Sequence, residues 1–117
     1  MEEALFRTML FDSYGELLTE KQREYFDLHY NEDLSLAEIA QREGVSRQSV
    51  WDIIRRAEET MRRFEEKTGL VARFAAERDI LAAAREKLAR LETMTDGDAQ
   101  RLAREIAAAL QELGHGI

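Results

Sequence analysis

The chain has 117 residues with no cysteine and no proline, and its 17 basic and 24 acidic residues give a net charge of −7. That length fits one small domain, or one small domain with an appended element, and the missing cysteine excludes a disulfide framework and a thiolate zinc site. With 44% apolar and 35% charged residues, and alanine, leucine, glutamate and arginine dominant, an all-α protein with long uninterrupted helices is expected.

In chain order, the first helix is predicted from about Glu3 to Tyr14, where Leu5, Phe6, Met9 and Leu10 form an apolar stripe. After Gly15, Thr19-x-x-Gln22 reads as a capping box. It opens a helix that carries Tyr25, Phe26, Leu28, His29 and Tyr30 and ends at the turn Asn31-Glu32-Asp33. Helical spacing assigns Leu17, Leu18, Tyr25, Phe26, Leu28 and Tyr30 to the core, and His29 to a structural or surface position. A second capping box, Ser35-x-x-Glu38, opens the next helix, which runs through Glu43. Gly44 then supplies the positive φ of a sharp turn. Ser46 caps a helix running to Lys67, and Thr68-Gly69 closes it.

From Leu70 the pattern becomes heptad: Leu70, Phe74, Glu77, Leu81, Ala84, Leu88 and Leu91 alternate spacings of four and three, with a polar break at Glu77. Thr95-Asp96-Gly97-Asp98 reads as a turn with Asp98 as helix cap, after which Ala99, Leu102, Ile106, Ala109 and Leu113 repeat the spacing. The expected architecture is a helix-turn-helix domain over residues 1–69 and an antiparallel helical hairpin over residues 70–117. One apolar face of such a hairpin is used internally. The other must pack on the first domain or on a second chain, and a homodimer is favoured.

The helix-turn-helix reading rests on Ser35–Ile54, SLAEIAQREGVSRQSVWDII. Ala40 must be small because the second helix crosses close to it. Ile39, Val45, Val50 and Ile53 form the apolar wedge, and Gly44 permits the turn. Projecting the helix from Ser46 at 100° per residue buries Val50, Ile53, Ile54, Ala57, Met61 and Phe64. In a groove, Arg47, Gln48, Ser49 and Asp52 would face base edges, and Arg55, Arg56, Arg62 and Arg63 the phosphates. Trp51 falls about 100° from the buried stripe, where contact with the hairpin or a partner chain is expected, with a base-stacking or ligand role as the alternative.

The field is weak, however. Between Ser46 and Arg63, Arg47, Arg55, Arg56, Arg62 and Arg63 are opposed by Asp52, Glu58 and Glu59. The pairs Asp52–Arg56, Arg55–Glu59, Glu58–Arg62 and Glu59–Arg63 stand one helical turn apart. Tight, salt-dependent DNA binding uses about six or more phosphate contacts, which two chains supply more readily than one.

Little else carries chemistry. Glu112-x-x-His115 has metal-pair spacing but stands alone near the end of the sequence, and Asp96 and Asp98 lack the other ligands of a calcium loop. There is no glycine-rich phosphate loop and no serine–histidine–acid set, so no enzyme, cofactor or small-molecule substrate is expected. No window approaches the roughly 18 unbroken apolar residues of a membrane span. The opening MEEALFRTMLFDSYGE has neither the basic start nor the apolar run of a signal peptide. A cytoplasmic protein follows.

The segments LFDSYGELLTEKQREYFDLHYNEDLSLAEIA and GVSRQSVWDIIRRAEE resemble the YlxM family of small bacterial helix-turn-helix proteins, itself similar to the DNA-reading C-terminal domain of sigma factors. The resemblance covers about Leu10 to Arg63 and, less distinctively, the tail after TGLVARF. It implies a sigma-like, dimeric, cytosolic bacterial protein. It also implies a regulatory part in the signal recognition particle pathway, through contact with a component that is protein or RNA. That association rests chiefly on genes neighbouring those of the particle's GTPase or its receptor. A dimeric regulator that reads DNA with residues 46–67 is the alternative.

Overall fold

A computed structural model describes residues 2–114, and these are helical throughout, with no strand among them. The elements are α1 (Glu3–Tyr14), a 3₁₀ turn (Gly15–Leu17), α2 (Glu20–Tyr30), α3 (Leu36–Glu43), α4 (Arg47–Thr68), α5 (Leu70–Met94) and α6 (Gly97–Gly114).

Local chemistry sets the boundaries. Thr19 Oγ1 accepts from the Gln22 N–H at 3.2 Å, while Gln22 Oε1 accepts from the Thr19 N–H at 3.1 Å. Ser35 and Glu38 exchange the same pair of bonds, both at 3.0 Å. Ser46 Oγ accepts from the Ser49 N–H at 3.0 Å and starts α4. Two orphan donors are thus satisfied at each box before any tertiary contact forms. Gly44 and Gly69 end α3 and α4 with φ of 69° and 64°. No atom lies within 4 Å of a Cβ built at either, so glycine is required there for its backbone freedom and not for space.

The chain divides into two compact units between Val71 and Ala72. In the first, α1, α2 and α3 all pack on α4, around the fully buried Leu10, Tyr25, Phe26, Ile39, Val50, Ile54, Met61 and Val71. The Phe26 ring meets Phe11 at 5.1 Å and Tyr30 at 4.8 Å between centroids. At the corner after α4, the Tyr14 hydroxyl donates to Glu65 Oε1 at 2.7 Å and bonds Thr68 Oγ1. Glu65 Oε1 also accepts from the Val71 N–H at 2.9 Å. Leu17 departs from expectation: the 3₁₀ turn rotates it outward, 62% exposed, and Leu18 takes the buried place.

The second unit is an antiparallel pairing of α5 and α6. Arg104 Nε meets Glu92 Oε1 at 2.6 Å, Gln100 Nε2 donates to the Glu92 carbonyl at 3.2 Å, and Arg85 Nη2 donates to the Leu110 carbonyl at 3.3 Å. The connection is shorter than the four-residue turn expected. Gly97, with φ of 59°, already opens α6, and the Gln100 N–H reaches the Asp96 carbonyl at 3.4 Å. Asp98 therefore sits inside the first turn and is not the cap.

The α6 seam is also corrected. Ala103 is buried, with Gln100, Ala107 and Leu110 half-buried, so this row faces α5. Leu102, Ile106 and Leu113, which carry the heptad spacing, lie about a quarter-turn away and are exposed. Glu92 anchors both Gln100 and Arg104. The larger side chains are left outside.

Candidate nucleic-acid or partner interface

The turn presents α4 as the sequence requires. Ala40 is buried, and its carbonyl accepts from the N–H groups of both Gly44 and Val45, so two donors close the end of α3 on one acceptor. Ile39 and Val50 are buried in the angle between the helices. Ile53 is only half-buried and Val45 is 40% exposed. The wedge is therefore deepest at Ile39, Ala40, Val50 and Ile54. Val45 follows the left-handed glycine and sits at the tip of the turn, away from the crossing.

Along α4, Val50, Ile54, Ala57 and Met61 are buried at spacings of four, three and four, while Phe64 is half-buried. The opposite face exposes Arg47, Gln48, Ser49, Arg55 and Arg56, with Asp52 half-exposed beside them. The six residues proposed to contact a partner are thus on one outward surface at the start of a rigid helix.

The surface partly neutralises itself, in a pattern different from the one expected. Arg55 reaches Glu59 at 2.7 Å and lies 3.9 Å from Asp52, while Gln48 Nε2 donates to Asp52 Oδ1 at 3.1 Å. The expected pairs Arg55–Glu59 and Glu58–Arg62 form, while Asp52 lies by Arg55 instead of Arg56 and Glu59–Arg63 does not form. Arg47, Arg56 and Arg63 have no ion pair among the described residues. Arg62 is committed elsewhere. Its Nε meets Glu58 at 3.1 Å and its guanidinium also bonds Glu3 of α1, so two carboxylates share its charge.

Glu58 is the hub of that second network. Arg7 of α1 donates to it at 2.7 Å, and the Arg7 guanidinium lies 4.4 Å from the Tyr30 ring centroid. Burial alone would push the Glu58 carboxyl up. The bonds and charges of Arg7 and Arg62 outweigh it and hold the group below its ordinary value. Glu58–Arg62 was legible as an i,i+4 pair. Arg7–Glu58 spans 51 positions and left no local signal.

Trp51 lies beside this network. Within the first unit it lines a cleft of about 260 Å³ with Arg7, Tyr30, Arg55, Glu58 and Glu59. It is 38% exposed. His29 is structural, its Nδ1 being 2.8 Å from the Leu34 carbonyl. His115, the second half of the suspected metal pair with Glu112, lies outside the described residues. Asp96 and Asp98 belong to no cluster of three or more metal-binding side chains among the described residues. No described helix is long and apolar enough to cross a membrane.

Residues 1–100 match the family model described as "Putative helix-turn-helix protein, YlxM / p13 like". A UPF0122 protein of Halalkalibacterium halodurans is 40% identical over 113 residues, 97% of this chain and 95% of that one. One from Desulforamulus reducens is 52% identical over 69 residues, 59% of each chain, and one from Clostridium kluyveri 54% identical over 71 residues, 61% of this chain and 64% of its own length. Across the last two, the chain spans about three fifths of the length of the relatives it matches.

Proposed function

The chain belongs to the UPF0122 family of YlxM/p13-like helix-turn-helix proteins, and on that footing we propose a non-enzymatic cytosolic regulator that takes part in the signal recognition particle pathway by macromolecular contact. The contact is made by the sigma-like surface of α4, through Arg47, Gln48, Ser49, Asp52, Arg55 and Arg56. The observation that carries this reading is an exposed outer face of α4 on which part of the positive charge is already satisfied within the protein. Arg55 is held by Glu59 and Asp52, and Arg62 by Glu58 and Glu3. Such a face suits a polar partner surface better than the dense charge of duplex DNA.

Two chains act together in this reading. Leu102, Ile106 and Leu113 on α6 and Ile80 and Leu91 on α5 are exposed. Each set lies about 90° from its own helix's contact line and in the same rotational sense. In an antiparallel pair this turns both sets to one side of the hairpin, an apolar face that a second copy covers.

A DNA-reading dimer is the second reading. The unpaired Arg47, Arg56 and Arg63 favour it, and it requires two α4 helices set about 34 Å apart. A GTPase assay with the particle and its receptor, run beside gel shifts on genomic fragments, separates the two. A changed GTPase rate without retardation sustains the first. Specific retardation, lost in Arg47→Ala/Gln48→Ala, replaces it with the second.

A further inference from the structure

The cleft beside Trp51 is not absorbed by either reading. Trp51, Tyr30, Arg7, Arg55, Glu58 and Glu59 line it, with the Arg7 guanidinium over the Tyr30 ring and both carboxylates held by arginines. The Trp51 N–H and the Tyr30 hydroxyl make no hydrogen bond among the described residues, so both stay available to an incoming polar edge. At about 260 Å³ the cleft falls below the roughly 300 Å³ at which drug-sized ligands begin to fit. It admits one planar ring system beside the indole of Trp51.

The position of Trp51 on α4 adds the rest. Arg47 stands four residues before it and Arg55 four after, so each lies about 6 Å along the axis on the same side of the helix. Arg47 is exposed without an ion pair, and the pairing of Arg55 with Glu59 is on the surface, where such pairs are weak and open readily. An aromatic platform with a cation on either side is the arrangement that holds one base of a single strand by stacking and its neighbouring phosphates by charge. It has no use for a duplex, whose bases are stacked on each other.

We infer that the Trp51–Tyr30 cleft is a pocket for an unstacked nucleobase of single-stranded nucleic acid, with Arg47 and Arg55 on the flanking phosphates. The inference rests on reading α4 as a macromolecule-binding surface and adds the chemistry of what one end of it holds. It also reconciles the low net charge of α4 with nucleic-acid contact, because stacking supplies affinity that does not depend on phosphate number.

The chain contains a single tryptophan, so its emission reports on this cleft alone. The test titrates the full chain at low salt with oligo(U), oligo(dT) and a mixed-sequence blunt duplex, each of about ten nucleotides or base pairs. Quenching of Trp51 by the single strands and not by the duplex is expected, and the U and dT arms tell an RNA source from a DNA one. In parallel, anisotropy of a labelled strand should show Trp51→Leu binding about five- to a hundredfold more weakly, at unchanged helicity. Arg47→Ala, fully surface, should weaken binding and flatten its salt dependence while leaving the fold intact. Absent quenching, equal quenching by the duplex, or wild-type binding by folded Trp51→Leu overturns the pocket. Any of these with an intact effect in the GTPase assay leaves the regulatory reading standing.

Discussion

The two units are built from the same kind of amphipathic helix and end up in opposite states. In residues 2–71, three helices close on α4 and eight large side chains are fully buried. In residues 72–113 none does and only the small Ala103 is buried, while Ile80, Leu91, Met94, Leu102, Ile106 and Leu113 stand exposed. Two helices cannot enclose a core: each has one line of contact, and everything a quarter-turn from it meets solvent. The first unit satisfies itself and offers a polar outer helix. The second leaves an apolar side exposed. If, as proposed, recognition and association are given to these separate parts, each should yield to mutation without the other.

The strongest way to break the first unit is Phe26→Ala, which removes a ring in contact with both Phe11 and Tyr30. A loss of about 3–5 kcal/mol is expected, read by urea unfolding followed through Trp51 emission. A loss under about 1 kcal/mol would mean that the core is far less rigid than its burial indicates. The matching test of the second unit is Leu102→Glu/Ile106→Glu. Light scattering should show dimeric wild type and a monomeric variant, with the Trp51-reported unfolding midpoint little changed. A monomeric wild type would erase the contrast from the other side.

Smaller changes sharpen the comparison. Gly44→Ala places a side chain at φ of 69° with no neighbour to clash. Backbone strain alone should therefore cost about 1–2 kcal/mol, seen as a lower unfolding midpoint with association unaffected. The smallest effect concerns pH. The Glu58 carboxyl titrates below its ordinary value of 4.5 in the folded protein. Its contribution is therefore present above about that pH and is lost as the pH falls through the folded value. Glu58→Gln should flatten that part of the acid-unfolding profile of the first unit, by a modest amount because the pair is partly open to water.

How much of this was legible can be traced residue by residue. Thr19–Gln22, Ser35–Glu38, Ser46, Gly44 and Gly69 place the starts of α2, α3 and α4 and the ends of α3 and α4, because capping and positive φ are decided by residues within four positions of one another. The α4 stripe of Val50, Ile54, Ala57 and Met61 followed from periodicity, as did the outward side of Arg47, Gln48, Ser49 and Asp52. The ion pairs around Arg55 were read only in part. Spacing allows i,i+3 and i,i+4 partners alike, and rotamers chose between them.

What the sequence determined by itself, then, is everything carried by local hydrogen bonding and by the repeat of apolar residues: the helices, the turn at Gly44 and the face that α4 turns outward. Tertiary structure alone decided which apolar row of α6 meets α5, why Leu17 is outside and Leu18 inside, how Arg7 reaches Glu58, and that Trp51 walls a cleft with Tyr30. Those outcomes depend on the angle at which helices cross and on residues dozens of positions apart. No local pattern encodes them, because an apolar residue records only that it favours burial, and the packing as a whole settles which partner buries it.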